Sequence, residues 1–174
     1  MEIEDGSLPL TYDWHVEHAD FVDEIDLKSK RGSRLFVAAY DLAAPVRESW
    51  KPAMVVAQTY EPCGLGFNPG FLIAPETKRL FIGAGTRILA YDLSAPARLW
   101  EDKVDCGFWR WGRYDEFIWM AAELEFAVWS NNAQKLWATF VEPPWEHTFH
   151  NGSVTLDVMG KTQTRRMGDG RVVY

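Results

Sequence analysis

One stretch of this chain says the same thing twice without a gap. RILAYDLSAPARLWEDKV, from Arg87 to Val104, aligns with LEFAVWSNNAQKLWATFV, from Leu124 to Val141, at a constant offset of 37 (137 − 100, from the paired tryptophans). The offset pairs Ala90 with Ala127, Arg98 with Lys135, Leu99 with Leu136, Trp100 with Trp137 and Val104 with Val141. A fainter copy, LFVAAYDLAAPVRESW, runs from Leu35 to Trp50; its Tyr40-Asp41-Leu42 and Pro45 match Tyr91-Asp92-Leu93 and Pro96 at an offset of 51 (91 − 40). A unit used two or three times restricts the fold to architectures that stack equivalent pieces.

Each unit reads as a β-hairpin. Leu124, Phe126 and Val128 alternate with Glu123, Glu125 and Ala127, the period-two pattern of a strand with one face buried. The linkers SAPA (Ser94 to Ala97) and NNAQ (Asn131 to Gln134) supply Pro and Asn, which suit tight turns. Upstream, GFLIAPETKRLFIGAG (Gly70 to Gly85) gives two short apolar runs around PETK, and DCGFWRWGRYDEFIWM (Asp105 to Met120) gives the corresponding pair around GRYDE. Four strands per unit fit the ~40–45 residues of a propeller blade.

The succession of strand, LAYDL, polar turn and RLW resembles the blade repeat of quinoprotein-type (PQQ-repeat) and related β-propellers. Leu80 to Gly83, Leu89 to Leu93, Leu99-Trp100 and Leu136-Trp137 carry the resemblance, over roughly the middle third of the chain. The second copy replaces the Tyr-Asp pair by Val128-Trp129, and none of the turns has the Thr-Gly usual in that family. The resemblance implies blade geometry and no quinone-binding residue. The expected fold is an all-β antiparallel meander of repeated hairpins, a small or incomplete β-propeller, with a β-sandwich or barrel as the alternative. It is read as a single domain over 1–174, with repeat units at about 34–57, 70–104 and 107–141.

Nine tryptophans and 47% hydrophobic residues make the chain globular. Its net charge of −7 argues against a nucleic-acid surface, although Lys161, Arg165, Arg166 and Arg171 lie close together in the C-terminal stretch. MEIEDGSLPL lacks the positive and apolar regions of a signal peptide, and no run approaches eighteen apolar residues, so the reading is cytoplasmic and without membrane contact. Two cysteines, Cys63 and Cys106, agree with a reducing compartment.

Taken in order, Tyr12, Trp14 and Val16 alternate with Asp13, His15 and Glu17, which predicts a strand. EPCGLGFNPG (Glu61 to Gly70) is dense in Gly and Pro and predicts an irregular connection long enough to cross a sheet end and carry function. His150-Asn151-Gly152 predicts a hairpin turn. By analogy with propellers that mix both termini in one blade, the strand from Thr155 to Met159 or beyond is expected to complete the N-terminal unit.

Several chemical motifs are present only in part. FIGAG (Phe81 to Gly85) begins a dinucleotide fingerprint, but the third glycine is missing and TRILAYDL is a strand where a helix must start. His15, Glu17, His18, His147 and His150 are metal-ligand types, yet the plainer reading is of satisfied or exposed polar residues, and no metal or cofactor is expected. No nucleophile signature surrounds either cysteine, so no catalytic residue is assigned.

The aromatic segment GFWRWGRYDEFIW is the best functional clue. It puts Trp109 and Trp111 on one strand face, with Arg110, Arg113 and Tyr114 beside them, and Trp145 and His147 follow Pro143-Pro144. Trp, Tyr and Arg dominate binding hot spots, and the same rings would also fill an inter-blade core. The expected function is a non-enzymatic cytoplasmic protein-protein interaction module, partnered by another protein or a second copy of itself. The alternative is a binder of a sugar or planar compound that uses tryptophan stacking.

Overall fold

Continuous apolar runs such as LFIGA and IWMAA cannot belong to strands with one wet face; they require a sheet covered on both sides. The computed structural model supplies that arrangement. It describes residues 7–40, 50–64 and 66–173 and the backbone of residues 2–5; Asp41, Leu42 and Pro45 of the faintest repeat lie outside the described residues.

Four four-stranded sheets follow one another along the chain. The first comprises β1 (Glu2–Asp5), β2 (Phe21–Ile25), β3 (Ser33–Ala39) and β4 (Met54–Tyr60), in the order β1-β3-β4-β2 with β2 parallel to β4. The second is the meander β5 (Gly70–Ala74), β6 (Arg79–Ala84), β7 (Arg87–Asp92) and β8 (Ala97–Lys103). The third repeats it with β9 (Phe108–Tyr114), β10 (Phe117–Ala122), β11 (Glu125–Ser130) and β12 (Lys135–Phe140). The fourth is β13 (Trp145–His150), β14 (Ser153–Val158), β15 (Lys161–Arg166) and β16 (Val172–Val173).

Neighbouring sheets pack face to face in three seams. Leu35, Val37 and Val56 of the first sheet meet Leu80, Ile82, Leu89 and Tyr91 of the second. Phe81, Ile88 and Ala90, on the opposite face of the second, meet Trp111, Ile118, Met120 and Trp129 of the third. Trp119, Phe126 and Val128 then meet Trp145, Val154 and Leu156 of the fourth. Adjacent residues of one strand thus serve different seams, which accounts for the unbroken apolar runs. Among the described residues no buried cluster joins the fourth sheet to the first, so the stack is a small, unclosed propeller-like arc.

The paired tryptophans of the repeat do the same job in successive seams. The indole N–H of Trp100 donates to the Ala133 carbonyl at 2.7 Å, and that of Trp137 to the Met167 carbonyl at 2.6 Å. Each acceptor sits in a turn of the next sheet, so the repeat carries its own fastener. Gly170, at φ +69°, leaves the space that the Trp137 ring occupies.

Two expectations need correction. Residues Tyr12–His18 form a helix, α1, instead of a strand. Tyr12, Val16 and Ala19 recur at spacings of four and three and pack with Leu8 on Phe36, Ala38, Val55 and Ala57, covering the outer face of the first sheet. An alternation of three apolar residues fits both periods, and the face that needs cover selects the helical one. His15 is buried there, with Nε2 2.9 Å from the Tyr40 hydroxyl, far from any shared strand face with Glu17. The strand from Thr155 also does not complete the N-terminal unit: β14 lies between β13 and β15 in a sheet of its own, and β1 pairs with β3. The Asn151-Gly152 turn joins β13 to β14 with φ of +46° and +71°, the hairpin geometry that favours this dipeptide.

Candidate functional site

The site forms where β9 departs from regular pairing. Ala121 of β10 pairs with Arg110 and Ala122 with Phe108, so Trp109 is an extra, bulged residue. Its effect is to separate two tryptophans that simple alternation puts together. Phe108 and Trp111 face the seam between the second and third sheets, while Trp109 packs into the seam between the third and fourth. Trp109 and Trp111 therefore do not share a face.

Trp109 lies nearly parallel to Trp145 of β13, ring centroids 5.3 Å apart at 14°. Phe67, from the connection between β4 and β5, approaches Trp109 at 6.3 Å, and its ring occupies the space beside Gly107. Trp145 is buried and its indole N–H donates to the Glu123 carbonyl at 3.1 Å, fixing the ring to the third sheet. Arg110 is exposed and lies over the Trp119 ring at 5.3 Å, within cation–π reach. His147 meets the same ring edge-on at 4.6 Å.

These side chains enclose a cleft of about 300 Å³ lined by Trp109, Arg110, Ala121, Trp145, Glu146 and His147. Burial pushes the His147 imidazole down to about 4, and the Arg110 charge adds to the shift, so the ring is neutral near pH 7. Arg110 and Glu146 are thus the charged residues of the lining. The cleft offers aromatic edges, one guanidinium and one carboxylate, with a neutral imidazole able to donate or accept.

Four of the seven candidates, Trp109, Arg110, Trp145 and His147, converge here; the other three are seam residues. Trp111 is 8% exposed and packs between Phe81, Phe108 and Trp129. Arg113 donates to Glu76 of the β5–β6 turn at 2.9 Å, tying the third sheet to the second. Tyr114 stacks on Phe149 at 4.8 Å and its hydroxyl accepts the Gly152 N–H. Sequence reasoning missed Glu146, Trp119 and Phe67. Glu146 had a signal, since it lies between two candidates; the other two are placed only by the pairing of strands.

Other chemistry is sparse. Cys63 and Cys106 are free thiols, and desolvation with nearby acidic groups, Glu123 among them, pushes both pKa values up, which makes them poor nucleophiles. Among the described residues no three or more His, Cys, Asp or Glu side chains gather to hold a metal ion. No helix is long and apolar enough to cross a membrane. Gly83 and Ala84 end β6, and Gly85-Thr86 turns into β7, with Gly85 at φ +59° against the Glu61 carbonyl.

No family model matches the chain, and no curated protein matches it. Solved structures do resemble it. Hydrazine synthase of Kuenenia stuttgartiensis is 15% identical with a TM-score of 0.46, over 81% of this chain and 45% of that one. The computationally designed Ika4 protein is 14% identical with a TM-score of 0.44, over 66% of this chain and 76% of its own. BamB from Moraxella catarrhalis is 16% identical with a TM-score of 0.39, over 56% of this chain and 32% of that one. The chain spans less than half the length of the two natural proteins. These likenesses identify no specific family for the chain.

Proposed function

We propose that this protein is a non-enzymatic, cytoplasmic interaction module that takes a partner protein's side chains at the cleft between the third and fourth sheets. The supporting observation is the convergence of Trp109, Arg110, Trp145 and His147, from separate strand ends, on one cleft of about 300 Å³. Trp and Arg at the centre of a concave patch, with a charged rim, are the residue types that dominate interface energetics.

The alternative, a sugar or planar ligand stacked on tryptophan, fits this geometry less well. One face of Trp109 is taken by Trp145, and Phe67 packs nearby. Arg110 and Glu146 project at the rim and suit a polar, charged counterpart.

Native mass spectrometry of the untagged protein, purified gently from its own cells, tests the reading. The expected result is a stoichiometric complex with a second polypeptide or a second copy, lost in Arg110→Glu. A bare 20.0 kDa monomer for both proteins, together with quenching of tryptophan fluorescence by a small ligand, overturns it in favour of the alternative.

A further inference from the structure

Seven of the nine tryptophans lie buried or half-buried in the seams on either side of the third sheet; the other two, Trp14 and Trp50, are 38% and 51% exposed. They meet beside α1. Trp14 leaves the helix on a side that the sheet does not use, since Tyr12, Val16 and Ala19 carry the packing on Phe36 and Ala57. Trp50 reaches the same spot from the segment that leads into β4, its ring centroid 5.7 Å from that of Trp14. His18 completes the group, stacked on Trp14 at 4.8 Å and 24° and edge-on to Trp50 at 5.3 Å.

This platform is held in place by contacts of its own. The His18 Nδ1 lies 2.7 Å from the Trp14 carbonyl one turn back, which sets the imidazole plane. The Asp20 N–H donates to the Pro52 carbonyl at 3.3 Å and Lys51 pairs with Asp20 at 3.1 Å, so the segment carrying Trp50 is tied to the end of α1. Neither indole belongs to any of the four buried clusters that hold the sheets and helix together. Two large apolar rings displayed at the surface on a fixed scaffold mark an interaction surface, and tryptophan is the residue type most enriched among interface anchors.

The charges around the platform choose the partner. Asp13 and Glu17, four residues apart, form a ridge along α1 next to the ridge of Trp14 and His18. Both are exposed, and neither forms a salt bridge among the described residues. With Asp20 and Lys51 added, the described surround carries a balance of −2 (1 − 3). Carboxylates beside the rings repel an anionic partner and attract a cationic one, while the indole faces discriminate between cations. A guanidinium is flat and weakly hydrated, so it lies on an indole and still points its N–H donors sideways at Asp13 or Glu17; an ammonium is a strongly hydrated point charge that gains less from the ring.

We propose that the platform of Trp14 and Trp50 docks an arginine-bearing cationic segment of another polypeptide, at a surface separate from the cleft between the third and fourth sheets. The test is fluorescence anisotropy of labelled hexa-arginine, hexa-lysine and hexa-citrulline peptides titrated with the full chain near physiological salt. Saturable binding of hexa-arginine is expected, about fivefold or more tighter than hexa-lysine, with none for the uncharged hexa-citrulline. Trp14→Gln/Trp50→Gln weakens it about tenfold and Asp13→Asn/Glu17→Gln about threefold, whereas the charge-matched control Asp115→Asn/Glu116→Gln leaves it unchanged. In the wild type, the indole N–H resonances that shift on addition of hexa-arginine are expected to be those of Trp14 and Trp50, with the seam tryptophans unmoved. Absence of saturable binding, equal binding of hexa-lysine, equal weakening in the control variant, or shifts at the seam tryptophans each overturn the proposal. Self-association of the chain in sedimentation, lost in Trp14→Gln/Trp50→Gln, assigns the patch to a second copy and overturns it as well.

Discussion

The indole N–H of Trp100 donates to the carbonyl of Ala133 at 2.7 Å, across the seam between the second and third sheets. Ala133 is buried, and Trp100 also stacks on Trp129 with centroids 5.9 Å apart. Trp100→Phe keeps an aromatic ring and removes the donor, leaving a buried carbonyl unpaired. The expected loss is about 1–3 kcal/mol in urea unfolding. Trp137→Phe acts in the same way on the Met167 carbonyl one seam later. Because the two bonds lie in different seams, the double variant is expected to be additive within about 0.5 kcal/mol, and a large departure from additivity counts against independent fasteners.

Two glycines separate steric from conformational demand. A Cβ on Gly112 would overlap the Trp119 ring, whereas one on Gly152 meets nothing within 4 Å but sits at φ +71°. Gly112→Ala is expected to cost about 1–3 kcal/mol by overpacking and to disturb the Arg110 and His147 contacts with that ring. Gly152→Ala carries only turn strain, about 1 kcal/mol. Thermal melts of both variants check the order, and an equal or larger loss at Gly152 contradicts it.

The repeat exposed more of this fold than local pattern did. The offset of 37 relates β7 and β8 to β11 and β12 as elements, although the pairing register differs by one residue, with Trp100 opposite Ala90 and Trp137 opposite Val128. Alternation was a weaker guide. Over Tyr12–His18 it suggested a strand because three apolar residues cannot distinguish a period of 2 from 3.6, and only the uncovered face of the first sheet decides. The bulge at Trp109 left no signal at all. It inserts one residue and sends Trp109 and Trp111, expected on one strand face, into different seams, so that Trp109 packs with Trp145 and not with Trp111's neighbours. The pairing of the strand from Thr155 with the N-terminal unit was expected by analogy alone, and it fails because KTQTRR forms β15 and pairs with β14 instead.

The depressed pKa of His147 gives a pH dependence of defined sign. Above 6.5 the ring is neutral in both folded and unfolded chain and contributes nothing. As pH falls from 6.5 to about 4, the unfolded chain takes up a proton that the folded cleft refuses, so stability falls through that window and levels off below it. His147→Phe removes this contribution. The difference between wild-type and variant unfolding free energies should therefore shift by about 1–2 kcal/mol across the window, after allowance for solvent screening of a half-buried ring. An NMR titration that places the His147 ring near 6.5 disproves the burial argument.

The stack of Trp109 on Trp145 joins stability to the proposed binding role, and a double-mutant cycle can isolate it. Trp145→Leu removes the stack and also the donor to the Glu123 carbonyl, so it is expected to be the costlier single change. Trp109→Leu removes the stack and a half-buried ring without stranding a hydrogen-bond partner. Parallel aromatic pairs contribute about 0.5–1.5 kcal/mol beyond the area they bury, so the two losses should fall short of additivity by that amount. Strict additivity would mean that the indoles are neighbours without mutual attraction. The cleft would then owe its shape to the bulge of β9 alone, and Trp109→Leu would leave partner binding intact while Arg110→Glu abolished it.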